Sequence, residues 1–273
     1  MNTTLGMGNA LVDVLIHLND DSLLDQLRLP KGSMQLVNEE RMAEIMSAVK
    51  GLPVTMVAGG SAANTIHGLA KLGMKTGFIG SAGQDEWGDF YINDLQNNGI
   101  NPCFFRSPKP TGRANALLSP DSERTFGTFL GAATELKAEF LHPDLFGGYQ
   151  LFHIEGYMVQ NHELIRRALQ LAKRAGCLVS LDLASYNVVE ENLEFLKSAV
   201  PGFVDFIFAN EEEARAFTGQ AAQQAAEELA RICPVAIVKT GRNGALAQRG
   251  DEKASSPGLS VNANDTTGAG DLF

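Results

Sequence analysis

Asp271 closes the run Asp265-Thr266-Thr267-Gly268-Ala269-Gly270-Asp271, a carboxylate placed directly after residues small enough to let their backbone hold an anion. Successive N–H groups at Gly268, Ala269 and Gly270 can approach a phosphate closely, and a helix starting there would aim its positive end at the same point. A carboxylate in the first turn of that helix can take the proton of an alcohol as the alcohol attacks phosphorus. A side-chain pKa near ~3.9 is no obstacle, because the hydroxyl becomes acidic only as its bond to phosphorus forms. A glycine-rich turn with an Asp near a helix start is the plainer account of the same residues.

A second glycine motif, Gly59-Gly60-Ser61-Ala62-Ala63-Asn64, follows the apolar run Val54 to Ala58 and leads into Ile66, Leu69, Ala70 and Leu72. That order reads as strand, glycine turn and helix, with Ser61 able to cap the helix. Upstream, Asp13 ends the segment Gly8-Asn9-Ala10-Leu11-Val12-Asp13. A carboxylate at a strand end can accept hydrogen bonds from two neighbouring hydroxyls of a sugar, or simply cap the strand. Rival nucleotide motifs are missing: there is no GxxxxGK[ST] loop, and Gly6-Met7-Gly8 lacks the third glycine of a dinucleotide fingerprint.

With both glycine motifs in this order, the chain resembles the ribokinase-like (PfkB) family of sugar and nucleoside kinases over essentially its whole length. Its opening, GNALVDVL, is most similar to the adenosine kinase branch. The resemblance implies an α/β fold, a ribokinase-like three-layer αβα sandwich with a mostly parallel central sheet and a small β lid. It implies transfer of the γ-phosphate of ATP to a hydroxymethyl group, with Asp271 as the base and Gly268, Ala269 and Gly270 as the anion hole. Asp13, Gly59, Gly60 and Asn64 would bind the acceptor, a sugar or a nucleoside. Asn210 and Glu213, in Asn210-Glu211-Glu212-Glu213, match the NxxE motif that helps hold Mg²⁺ and its waters. An amide and a carboxylate suit that ion, although acidic residues opening a helix also read as a cap. Thr240 and Gly241 are similar to a nucleotide-contacting TxGxxG turn with one residue fewer, and a hairpin into Ala245 to Gln248 accounts for the same glycines. Arg124 is either an ordinary exposed arginine or a phosphate-directed cation, Asp182 a helix cap or a ligand contact, and Phe126, Phe129 and Tyr157 either core or an aromatic slot for a base.

The elements that would position these groups fall into two regions. From about residue 150, strands alternate with helices as in a helix-covered parallel sheet: Leu151 to Ile154, Leu178 to Leu183, Asp205 to Phe208 and Val235 to Lys239 are strands. A helix capped by Asn161 and a helix over Val189 to Leu196 lie between them. In the first 130 residues, Thr4 to Ile16 reads as one strand, and Leu29 to Val37 and Arg113 to Phe129 as short antiparallel strands, either of a lid spanning about 11–40 and 102–130 or of a packed extension of the main sheet. Such a lid, with an apolar face, could form a homodimer.

With 273 residues, 44% hydrophobic and 20% charged, the chain fits one globular domain. A formal charge of −10 argues against nucleic-acid or anionic-membrane partners, so a phosphate site must be made positive locally. Three unpaired-looking cysteines, Cys103, Cys177 and Cys233, fit a reducing cytoplasm, the five histidines lack metal-ligand spacing, and no apolar run approaches the roughly 20 residues that cross a bilayer. Only Leu272 and Phe273 follow Asp271, too few to build a helix macrodipole, so the C-terminal part is expected to be missing. A non-catalytic sugar- or nucleoside-binding protein of kinase fold is the alternative function.

Overall fold

The computed structural model describes residues 2–121, 123–259 and 268–273. In chain order, the strands among them are β1 (Thr3–Met7), β2 (Leu11–His17), β3 (Met34–Leu36), β4 (Val54–Gly59), β5 (Lys75–Gly83), β6 (Ile100–Ser107) and β7 (Gly112–Leu118). They continue with β8 (Arg124–Phe129), β9 (Leu151–Glu155), β10 (Leu178–Asp182), β11 (Phe206–Asn210), β12 (Val235–Lys239), β13 (Ala245–Arg249) and β14 (Glu252–Ser256). Nine of these build a large sheet in the order β14-β13-β12-β11-β10-β9-β1-β5-β6, and five a smaller one in the order β3-β8-β7-β2-β4.

The large sheet is parallel from β6 to β12 and turns antiparallel only at β13 and β14. Its strands are apolar because helices cover them: Phe152, Ile154, Val179, Ile207, Ala236 and Val238 are buried in one core with Leu164, Ala168 and Leu171 of the helix His162–Arg174. Asn161 caps that helix, its Oδ1 accepting from Leu164 N at 3.1 Å, as the sequence indicates. Parallel strands in register bring their carboxyl ends to one edge. Glu155 pairs with Asp182 and Asn210 with Lys239 at that edge.

Thr4 to Ile16 is not one strand. β1 lies in the large sheet and β2 in the small one, and the chain crosses between them at Gly8-Asn9-Ala10. The buried carboxylate of Glu155 holds that crossover by accepting from Asn9 N at 2.9 Å and Asn9 Nδ2 at 2.8 Å, a long-range partner that periodicity cannot show. The small sheet is mixed rather than antiparallel: β7 pairs antiparallel with β8, but β2 runs parallel to β7 and β3 parallel to β8. Its alternation is clear in β2, where Val12, Val14 and Ile16 are fully buried while Leu11, Asp13 and Leu15 face the other side half-exposed. Val189 to Leu196 is likewise two helices, Tyr186–Glu191 and Leu193–Ala199, divided at Asn192. Among the described residues no helix is long and apolar enough to cross a membrane.

Candidate active site

The helix Ser61–Lys71 follows β4 of the small sheet through the Gly59-Gly60 turn and packs on β1 and β5 of the large sheet. Both glycines are required by what surrounds them. Gly60 has φ +99°, and a Cβ there would also overlap the Asn9 carbonyl; a Cβ on Gly59 would overlap the carboxylate of Asp13, which lies across β2 and β4. Tyr91, fully buried, donates its hydroxyl to the Gly59 carbonyl at 2.9 Å and fixes the turn from behind.

Ser61 does not cap this helix. It is the first helical residue, Gly60 holds the cap position, and the Ala62 N–H is taken instead by Glu155 Oε2 at 2.9 Å. Ser61 is thereby left to donate its hydroxyl to Asp271 Oδ1 at 2.8 Å, and Asn64, one turn along, donates Nδ2 to Asp271 Oδ2 at 2.9 Å. Thr65 Oγ1 donates to the Asp271 backbone carbonyl at 2.7 Å. Three residues on one helix face thus grip Asp271 by side chain and main chain.

Gly268, at φ +70°, begins a tight turn in which its carbonyl accepts from both Asp271 N and Leu272 N at 2.9 Å. Gly268 itself lies against the carboxylate, since a Cβ there would sit 3.3 Å from Asn64 Nδ2 and 3.6 Å from Asp271 Oδ2. Asp265, Thr266 and Thr267, which open the motif, lie outside the described residues. Asp13 is brought close enough to Asp271 to feel it: burial first, then the charge of Asp271, push the Asp13 carboxyl up to about 7, with Arg124 opposing. Arg124, at the start of β8, is therefore near enough to Asp13 for its charge to act on that carboxylate.

Asn210 and Glu213 meet in a reciprocal capping box at the start of the helix Glu211–Thr218. Asn210 Oδ1 accepts from Glu213 N at 2.9 Å, while the two Glu213 oxygens accept from Asn210 N and Asn210 Nδ2, each at 2.7 Å. Burial pushes the Glu213 carboxyl up to about 7. Each of those oxygens has one lone pair already used and one left, a donor set that fits the waters of a hydrated Mg²⁺ better than direct ligation of the ion. Thr240 and Gly241 sit in the turn between antiparallel β12 and β13, where Thr240 N donates to Gly244 O at 2.8 Å. That turn leaves the same strand edge as Asn210.

Four contributors were not singled out as such from sequence: Glu155, Lys239, and the hydroxyls of Ser61 and Thr65. Glu155 is 1% exposed, and burial pushes its carboxyl up to about 7 against three stabilising hydrogen bonds. Its position as a charged residue ending the apolar run Leu151–Ile154 was the available signal. Asp182 is no helix cap; Ser185 caps the helix Tyr186–Glu191, and Asp182 Oδ2 instead accepts from Lys239 Nζ at 2.7 Å. A cavity of about 270 Å³ opens beside Asp271 and reaches Asp182 and buried His153. The larger cavity, about 540 Å³, lies at the opposite strand edge among Lys75, Asn101, Cys103 and Tyr149, away from all these groups.

A family model described as pfkB family carbohydrate kinase matches residues 36–273. Probable fructokinase-5 of Arabidopsis thaliana is 32% identical over 231 residues, which cover 79% of this chain and 70% of that protein. Among solved structures, the adenosine kinase of Sinorhizobium meliloti superposes with a TM-score of 0.85 at 32% identity, covering 99% of this chain and 84% of its own. A probable sugar kinase from Rhizobium etli gives 0.87 at 29% identity over 98% of this chain and 83% of its own.

Proposed function

The chain belongs to the pfkB family of carbohydrate kinases and is a sugar or nucleoside kinase, and we propose that it moves the γ-phosphoryl group of ATP to an acceptor hydroxymethyl with Asp271 as general base. The observation that carries this reading is the double grip of Ser61 and Asn64 on the Asp271 carboxylate beside the Gly268–Gly270 turn. Each carboxylate oxygen, with one hydrogen bond from the helix, retains a lone pair for the acceptor proton. Asp13 would accept from the sugar hydroxyls and Asn64 would line the same site, with Gly59 and Gly60 allowing close approach.

In the transfer, the acceptor oxygen forms a bond to the terminal phosphorus and its proton passes to Asp271. The bond from phosphorus to the bridging oxygen breaks, and its electron pair leaves with the nucleoside diphosphate. Amides of the Gly268, Ala269 and Gly270 turn would meet the charge on the transferring oxygens, and prearranged donors of this kind contribute roughly 10²–10³ in rate. Mg²⁺ would neutralise phosphate charge, with Asn210 and Glu213 holding its waters and Thr240 and Gly241 bordering the nucleotide.

The face of the small sheet that carries Asp13 favours a nucleoside over a free sugar. Register places Thr55, Leu15, Ala116, Phe126 and Met34 in one cross-strand row, and Val57, Asp13, Ala114, Thr128 and Leu36 in the next. A largely apolar surface beside a polyol-reading carboxylate suits a ribose carrying a base. Phe129 is 9% exposed and belongs to the core, whereas Tyr157 is 37% exposed. The small sheet would act as the lid of the acceptor site. Its edge strand β4, with Val54, Met56 and Val57 each more than two-fifths exposed, is where a second copy would add to form a homodimer. The free thiols of Cys103, Cys177 and Cys233 fit a reducing cytoplasm.

A coupled ADP-release assay with Mg-ATP and separate acceptors tests the reading. Adenosine or another nucleoside is expected to give the highest kcat/KM, with fructose and ribose lower. ADP release with none of them contradicts the proposed reaction, and a preference for fructose contradicts the acceptor assignment.

A further inference from the structure

A polyanionic donor brought to the Gly268–Gly270 turn must enter a region that holds Asp13, Asp182, Glu213 and Asp271 in a chain of formal charge −10. Backbone amides supply only partial charges, so the transferring group needs a full cation close by. Lys239 is placed to be it. As the last residue of β12, it pairs in register with Asn210 at the carboxyl edge of the large sheet and projects to the turn, with Nζ 3.5 Å from the Gly270 carbonyl. The side chain is only 15% exposed, as is that of Asp182, whose Oδ2 lies 2.7 Å from Nζ.

Among the described ion pairs this is the most enclosed: Lys173 with Asp205 is 30% and 18% exposed, and Arg249 with Glu252 is more than two-thirds exposed on both sides. Taking a lysine and an aspartate largely out of water is costly, and a pair of this kind adds little net stability. A largely enclosed pair at the strand edge that carries Asn210 and faces the Gly270 turn is therefore better explained by what the ammonium does there. An ammonium has three donors. Among the described residues, Asp182 and the Gly270 carbonyl take two, and the third is available to a phosphate oxygen.

We propose that Lys239 is a catalytic residue whose ammonium meets the terminal phosphoryl group of the donor, with Asp182 as its positioning residue. The inference rests on the kinase reading above. Lys239 neither gains nor loses a proton in the transfer; it offsets charge on the non-bridging oxygens while the acceptor proton goes to Asp271. Asp182 keeps the flexible lysine stem directed at the turn, because its other oxygen is anchored by Ala184 N at 2.8 Å.

Calorimetry of Mg-ADP and of the non-transferable analogue Mg-AMP-PNP on the whole chain tests this, together with turnover of whichever acceptor the ADP-release assay identifies. In Lys239→Met, AMP-PNP affinity is expected to fall about tenfold with ADP affinity falling less than about threefold. The same variant should lose roughly 100-fold in kcat with the acceptor KM held. Lys239→Arg should recover most of the AMP-PNP affinity, and Asp182→Asn should lower kcat less than Lys239→Met does. If Lys239→Met loses its native circular dichroism, Lys239→Gln, which keeps a donor to Asp182 without the charge, takes its place. Unchanged kcat and AMP-PNP affinity, or equal losses for the two nucleotides, overturn the assignment. Wild-type protein that turns over no acceptor contradicts the kinase reading itself, whereas an active wild type matched by Lys239→Met contradicts only the role of Lys239.

Discussion

Asp13 and Asp271 are two carboxylates whose environments separate their tasks. Burial and the neighbouring Asp271 raise the Asp13 carboxyl to about 7, so this group exchanges its proton with solvent near neutrality. Its ionised form is the one that can accept from two acceptor hydroxyls. The acceptor KM is therefore expected to rise as pH falls below about 7, read from initial rates at fixed saturating Mg-ATP. Folding carries the opposite preference: the native state holds this proton more tightly than the unfolded chain, so stability declines as pH rises from the ordinary carboxylate range through about 7. Asp13→Asn should accordingly raise the Tm at pH 8 relative to wild type while weakening acceptor binding, measured by thermal unfolding with and without acceptor. A lower Tm at that pH contradicts the burial argument. At this scale the sequence was informative where a side chain sits in a motif, as for Asp13, Asn64 and Asp271. It was silent where the partner is remote, since Glu155 lies 146 residues from Asn9 and 93 from Ala62.

Glu155 links three elements at once: the end of β9, the crossover between the sheets and the N-terminus of the helix Ser61–Lys71. Removing it leaves N–H donors of Asn9 and Ala62 buried without partners, each costing about 1–3 kcal/mol. Glu155→Ala is therefore expected to lower the unfolding free energy by about 2–5 kcal/mol in urea titrations, and to reduce kcat in the fraction that remains folded. An unchanged midpoint would mean that water or a shifted backbone replaces the carboxylate. The helix itself was legible, because Ile66 and its apolar neighbours follow a glycine turn at helical spacing. The role of Ser61 was not: a serine at a helix start reads as a cap, and only the placement of Gly60 and Glu155 frees its hydroxyl for Asp271. Likewise β1 is buried along nearly its whole length while β2 alternates, and the short run Thr4 to Met7 is too brief for its sequence to show that the chain changes sheet at Gly8-Asn9-Ala10.

Across the whole molecule, the large sheet supplies Glu155, Asp182, Asn210 and Lys239 from the ends of four parallel strands, and the small sheet supplies Asp13. The parallel half was readable because a helix-covered strand must be apolar along its length. The mixed pairing of the small sheet was not, since β2 with β7 and β3 with β8 depend on partners more than 90 residues away. This division predicts two separable protection patterns in hydrogen exchange. Acceptor should slow exchange of amides in β2, β4 and the Gly59–Ala62 turn, whereas Mg-ADP should slow those at the ends of β11 and β12 and in the turn after Lys239. A single pattern produced by either ligand alone would contradict a site assembled from two sheets.

Asp271 decides the account most directly, through steady-state kinetics of Asp271→Asn paired with calorimetric ATP binding. The expected result is a loss of roughly 10³ in kcat with ATP affinity within about threefold of wild type, because an amide can still bond Ser61 but cannot take the acceptor proton. A variant that keeps its kcat, or that loses ATP affinity in proportion to kcat, contradicts the assignment of Asp271 as the base.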